Sequence, residues 1–191
     1  MRRSFLILLF SIGVMFLSGC GGAKPTPEVQ DMFDQKATMY TQKNMHYNFG
    51  RWGLKEVDGT NYQSGILIPV NSKVQLEAIN AKQLSFIYKG QKIILRNIPK
   101  YTGMSISELA KDYFAPKKVN LSKFTRLERK AIKNGNVVRG MRKKAVLISL
   151  GTPPVHRTPS IESDTWTYWK NKWATFRVNF RKGRVSSVVG R

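Results

Sequence analysis

Between Gly140 and Val189 the spacing of apolar residues changes once, and that change dictates what the end of the chain can become. Gly140-Met141-Arg142-Lys143-Lys144-Ala145-Val146-Leu147-Ile148-Ser149-Leu150-Gly151-Thr152-Pro153 reads as a short helix with a hard stop. Val146 and Leu150 lie four apart, hence on one helical face. Gly151 permits a left-handed C-terminal turn, and Pro153 forbids continuation. The period then drops to two: Trp166-Thr167-Tyr168-Trp169, next Phe176-Arg177-Val178-Asn179-Phe180, and, after a Lys182-Gly183 turn, Arg184 to Val188. Such alternation predicts a three-stranded antiparallel sheet with helix on one face. Val146, Leu150, Trp166, Tyr168, Phe176, Val178 and Phe180 are the expected interface, with some of the aromatics at its rim.

Upstream, residues 66–97 carry strand signals. Ile66-Leu67-Ile68-Pro69-Val70 is an apolar run broken by a proline, as at a sheet edge or strand end. Val74, Leu76 and Ala78 alternate with polar neighbours, and Leu84, Phe86 and Tyr88 lead through Lys89-Gly90 into Ile93-Ile94-Leu95, a hairpin pattern. Short strands with tight turns suit a small curled sheet or barrel, and Leu67 to Val74 is loosely similar to the strand entry of bacterial SH3-like modules. Ser105-Ile106-Ser107-Glu108 has the form of a capping box, opening a helix that runs to about Phe114 and stops at Pro116. A second helix is expected from Ser122 to Lys133, with Phe124, Leu127 and Ala131 on its apolar side and Lys123, Arg126, Lys130 and Lys133 on a wet or membrane-facing side. From Glu28 to Trp52 the pattern is weak. The fold class is therefore α+β: a strand-rich region over 31–100, then a helical connection and a two-layer domain over 101–191, with its core in 131–191.

The first residues read as an export signal. Met1-Arg2-Arg3 is basic, Phe5 to Leu17 is almost wholly apolar, and the run is shorter than the ~20 residues of a membrane-spanning helix. Leu17-Ser18-Gly19-Cys20 resembles the bacterial lipobox, which implies a signal peptide over 1–19 and lipid on Cys20. Cys20 is the only cysteine, so it has no partner within the chain, and lipidation accounts for an unpaired thiol in an exported protein. Inner-membrane retention in diderm bacteria goes with Asp after the acylated cysteine. Gly21 stands here, so the resemblance implies the outer membrane; it leaves both faces open, and the periplasmic face is the expected one. Residues 20–30 are expected to form the anchor and a flexible tether.

The order Gly140-Met141, Val146, Leu150-Gly151-Thr152-Pro153, Trp166-Thr167-Tyr168 and a last strand after Gly183 resembles the SmpA/OmlA, or BamE-like, family of small outer-membrane lipoproteins over residues 131–189. That resemblance implies helices on a three-stranded sheet, used for docking to another envelope protein, with outer-membrane protein assembly as the family's best-known setting. The family usually has Thr or Ser after Gly-Met as a helix cap. Arg142 stands there instead, at a cost of about 1 kcal/mol.

Charge narrows the partners. Lys and Arg number 33 against 11 Asp and Glu, a net charge of +22, and no acidic residue occurs from Arg129 to Ile161 or from Thr165 to Arg191. Such an excess points to a polyanion. Export removes nucleic acid from the choices and leaves anionic lipid, lipopolysaccharide or wall glycan beside protein partners. No HExxH, CxxC, GxSxG or phosphate-loop pattern occurs, and the two histidines, His46 and His156, lie in unlike contexts, so neither an enzyme nor a metal or cofactor site is expected. The expected recognition surface is the proline-rich loop Pro153 to Pro159, with His156 and Arg157, beside the turn Trp169-Lys170-Asn171-Lys172-Trp173. Rigid loops flanked by Trp and Arg lose little entropy on docking. Trp166, Tyr168, Trp169 and Trp173, beside Lys170, Lys172 and Arg177, are also candidates to stack on a glycan or hold an anionic headgroup.

Overall fold

The computed structural model describes residues 23–191, so Cys20 and the expected signal peptide lie outside the described residues. The elements in chain order are α1 (Pro27–Asp34), β1 (Thr38–Thr41), β2 (Met45–Phe49), β3 (Lys55–Asp58), β4 (Ile66–Ile68), β5 (Lys73–Ile79), β6 (Gln83–Tyr88), β7 (Gln91–Arg96), α2 (Pro99–Thr102), α3 (Ile106–Tyr113), β8 (Phe114–Ala115), α4 (Arg126–Lys133), α5 (Lys143–Leu150), β9 (Thr165–Trp169), β10 (Thr175–Arg181) and β11 (Arg184–Val189). Eight strands in the order β4-β2-β3-β7-β6-β5-β1-β8 form a curled half-barrel, and β11-β10-β9 form a separate sheet. All pairings are antiparallel except β3 with β7. The architecture is thus α+β: a strand-rich sheet, then helices packed on three strands.

The first core lies between the half-barrel and helices α1 and α3. Val29 and Phe33, four apart on α1, meet Leu76, Phe86, Leu109 and Tyr113 in one buried cluster. Two expectations change here. The tether ends before Pro27, because α1 is fixed by its apolar pair and by Thr26 N–H donating to Ser107 Oγ at 2.8 Å. The weakly patterned stretch after Glu28 holds α1, β1 and β2, elements too short to show a period. Helix α3 opens with the expected capping box of Ser105 and Glu108, and its Ile106, Leu109, Ala110 and Tyr113 join the first core. The helical connection beginning at 101 therefore belongs, as far as Phe114, with the strand-rich region.

The second core sits between α4, α5 and the three strands. Trp166 faces Val178 and Tyr168 faces Phe176 across β9–β10, and a bulge at Asn179/Phe180 sets Phe180 opposite Val185 on β11. All seven expected interface residues are buried, none above 5% exposed. None lies at the rim, because Trp166/Tyr168 and Phe176/Val178/Phe180 are each spaced by two and share one face. Burying each such side chain contributes about 2–3 kcal/mol. Helix α4 differs from expectation: it starts at Arg126 with Thr125 and Glu128 as a capping box, and it buries Glu128, Ala131 and Ile132 while Leu127 is exposed. Gly151 takes φ 80°, ψ −177°, a positive-φ stop that is not the expected left-handed helical turn.

Polar side chains of the first unit tie the two cores together. Asn44 Nδ2 donates to the carbonyls of Ile132 (2.7 Å) and Ser149 (3.1 Å), and Asn61 Nδ2 and Gln63 Nε2 donate to Leu150 O at 2.7 and 2.8 Å. Ser149 O and Leu150 O are the last carbonyls of α5, and Ile132 O lies in the last turn of α4, where intrahelical N–H donors run out. A Cβ on Gly151 would come within 2.7 Å of Asn61 Nδ2, so glycine is required there twice over. Among the described residues no helix is long and apolar enough to cross a membrane.

Candidate functional site

The loop after α5 is pinned on both sides. Pro153 and Pro154 are buried, Val155 N–H donates to Tyr101 O at 2.9 Å, and Thr158 Oγ1 accepts from Thr167 N–H at 2.9 Å. Gly103, at φ 69°, lets α2 approach, since a Cβ there would lie 2.8 Å from Val155. What remains exposed between these anchors is His156 and Arg157.

Those two side chains enter an aromatic column. The His156 ring lies 4.6 Å from that of Tyr101 and 6.1 Å from that of Trp169, nearly parallel to the latter at 26°. The Arg157 guanidinium sits 5.5 Å from the centre of the Trp169 ring, and Lys100 lies 5.9 Å over Tyr101. A cation over an aromatic face is held by the ring's quadrupole, at about 0.5–1 kcal/mol in exposed positions. Desolvation lowers the His156 pKa, and Arg157 and Lys100 lower it further. The ring is therefore neutral near pH 7, with one nitrogen free to accept a hydrogen bond.

The turn joining β9 to β10 extends this surface. Lys170 N–H donates to Ala174 O (2.8 Å), and Asn171 Oδ1 accepts from the N–H groups of Trp173 and Ala174. The turn is thus rigid, and it presents Trp173 at 82% exposure with Lys172 at 4.9 Å over its ring. The structure gathers His156, Arg157 and Trp169 in direct contact and sets Lys170, Lys172 and Trp173 on the adjoining turn. Trp166 and Tyr168, also candidates for stacking a glycan or headgroup, are instead buried on the inner face of the sheet, Tyr168 OH donating to Gly151 O at 3.0 Å. Sequence reasoning missed Tyr101. The only hint was an aromatic beside Lys100, and the chain gives no sign that α2 meets a loop so far downstream.

Beyond this surface, two buried ionic contacts organise the second unit and its junction with the first. Glu128 on α4 accepts from Arg142 N–H (3.0 Å), Nε (2.8 Å) and Nη2 (2.7 Å), and from Thr125 N–H (2.9 Å). Lys43 Nζ lies 2.5 Å from Asp112 Oδ2 and 3.1 Å from Thr152 Oγ1, with burial pushing its pKa down and Asp112 opposing that. No group of three or more potential metal ligands occurs among the described residues. Comparison with protein-family models, curated proteins and solved structures gives no match.

Proposed function

We propose that this chain is a lipid-anchored envelope lipoprotein that works without catalysis, docking another envelope protein through its C-terminal unit. The observation that carries the reading is the Tyr101–His156–Trp169–Arg157 column, with Trp173 beside it. Half-buried Tyr101 and Trp169 beside exposed His156, Arg157 and Trp173, held by buried prolines and closed turns, make a preorganised contact surface, and Trp, Tyr and Arg carry most binding energy where proteins meet. The finer family reading belongs here too. The helix–stop–three-strand order supports assigning the last third to the SmpA/OmlA (BamE-like) class, with outer-membrane protein assembly or envelope integrity as its setting. The curled first sheet supports an SH3-like comparison more loosely. Lipidation at Cys20 and a place at the periplasmic face of the outer membrane complete the proposal.

The alternative is a module for anionic lipid, lipopolysaccharide or wall glycan. It is favoured by Arg157 and Arg177 flanking Thr167 and Thr175 in a shallow depression on the outer face of the second sheet. Salt separates the two readings, because contact through cations weakens steeply as salt rises and an apolar protein contact does not. The test is crosslinking in intact envelopes followed by pulldown, comparing wild type with a combined Arg157→Ala, Lys170→Ala, Lys172→Ala variant of unchanged melting. Loss of a discrete crosslinked partner supports docking. Unchanged crosslinks and unchanged binding to anionic vesicles contradict both readings at this surface.

A further inference from the structure

A cleft of about 660 Å³ opens between the half-barrel and the β9–β10 turn. Its volume falls within the ~300–1,000 Å³ usual for small-ligand sites. Asn48, Glu56, Asp58 and Arg96 share one face of β2, β3 and β7 as a wall, Phe49 lies at its end, and Asn171 with Lys172 closes the side nearest the second unit.

The wall is built rather than incidental. Arg96 bonds Glu56 through its guanidinium, and the Glu56 carboxyl lies so close to the Gly50 backbone that a Cβ at Gly50 would overlap it. A Cβ on Gly65 would similarly overlap the Asn48 amide, whose Nδ2 donates to Ser64 O. Two glycines thus hold open the approach of two polar side chains to the cleft. Asp58 accepts from Thr60, and burial raises its pKa.

Charge sets this cleft apart from the rest of the surface. The chain carries +22, yet here Glu56 and Asp58 stand against Arg96 and Lys172, and Arg96 is already paired. A polyanion site needs unpaired cations, and this wall offers balanced charge with hydroxyl and amide groups from Tyr62, Ser64, Asn48 and Asn171. Phe49 lines the cleft at 65% exposure. Trp173, at 82% exposure, follows Lys172 on the β9–β10 turn and does not itself line the cleft.

We propose that this cleft binds a short neutral oligosaccharide. A pyranose presents electropositive C–H groups on its flat faces and hydroxyls around its edge. The faces match the negative π-face of an aromatic ring, and the hydroxyls match carboxylate and amide groups at the wall. Phe49 takes a sugar face, and Glu56 and Asp58 accept hydroxyl protons while Arg96 and Asn48 donate. The site is separate from the docking surface and does not rest on it, although Lys172 borders both.

The test titrates the full chain, purified from membranes in a non-glycosidic detergent, with neutral tetrasaccharides of N-acetylglucosamine and of glucose. Tryptophan fluorescence and calorimetry are the readouts. Saturable binding that is insensitive to salt is expected for at least one sugar. Glu56→Gln and Phe49→Ala should each weaken it about tenfold or more, and Arg157→Ala should leave it unchanged. Phe49 is exposed, so its variant tests the site even if Glu56→Gln disturbs folding. No saturable binding of either sugar overturns the proposal, as does binding that survives Phe49→Ala or that collapses with salt.

Discussion

Arg142 Nη2 lies 2.7 Å from Glu128 Oε2, joining the N-terminus of α5 to the first turn of α4 through a carboxylate whose side chain is 1% exposed. Arg142 occupies the N-cap position of α5 and offers that helix no side-chain cap. Glu128 supplies what is missing by accepting the Arg142 N–H itself. It also completes the capping box of its own helix with Thr125. One carboxylate therefore organises the start of two helices. Its hydrogen bonds from Arg142 pull the Glu128 pKa down to about 2.

From this arrangement a thermodynamic cycle follows. Glu128→Ala removes charge-assisted hydrogen bonds worth about 1.5–3 kcal/mol. Arg142→Thr should also destabilise the chain, although it installs a good capping residue, because it strands the buried carboxylate. The double variant should regain part of the loss, since threonine can then cap α5 unopposed. Strict additivity in denaturant unfolding would show that the pair is not coupled.

A second expectation concerns the junction between the cores. Asn61→Ala removes the side-chain donor to Asn44 O and one of the two donors to Leu150 O, where Gln63 Nε2 remains, costing about 1–3 kcal/mol. Because the two cores share these bonds, thermal unfolding should stay a single transition in wild type and in the variant. Two resolved transitions in wild type would mean that the cores unfold independently.

The third is a pH dependence set by His46. Its Nδ1 is buried with no hydrogen-bond partner among the described residues, and burial, with Arg191 adding to it, lowers its pKa to about 4. The unfolded chain binds this proton at its ordinary value near 6.5. The folded state is therefore favoured fully above pH 6.5, and the advantage is lost as pH falls from 6.5 to about 4, on the order of 3 kcal/mol in all. Glu128 acts in a lower window, from its ordinary carboxylate value down to about 2. Urea unfolding at about pH 7 and about pH 5 should show a drop that His46→Gln reduces. An equal drop in the variant would place the acid sensitivity elsewhere.

What could be read in the chain follows from the range of the forces involved. The hairpin at Lys89-Gly90, the Ser105–Glu108 cap and the strands from Trp166 onward are local patterns, and they stand where expected. Helix α1 carried only one apolar pair, Val29 and Phe33, too little for a period to show. Leu127 is exposed and Glu128 buried because Arg142, far along the chain, outbids a local apolar pattern. In the candidate site, Arg157 and Trp169 were legible as residue types that favour contact. The cleft beside Glu56 was not, because its walls come from β2, β3, β7 and the β9–β10 turn, which only the tertiary fold brings together.

The anchor gives a fourth expectation. Cys20→Ser should release the protein from membranes with its signal uncut by the lipoprotein pathway. Recovery of that variant in the membrane fraction, processed as wild type, would contradict lipidation at Cys20.

The most direct measurement of the docking reading is site-specific photocrosslinking in living cells, with the photoreactive residue placed in turn at Arg157, Lys170 and, as a control on α4, Lys130. The account predicts a discrete crosslinked protein from positions 157 and 170, insensitive to added salt in isolated envelopes, and none from 130. No discrete product at 157 and 170, or the same products at all three positions, would contradict it.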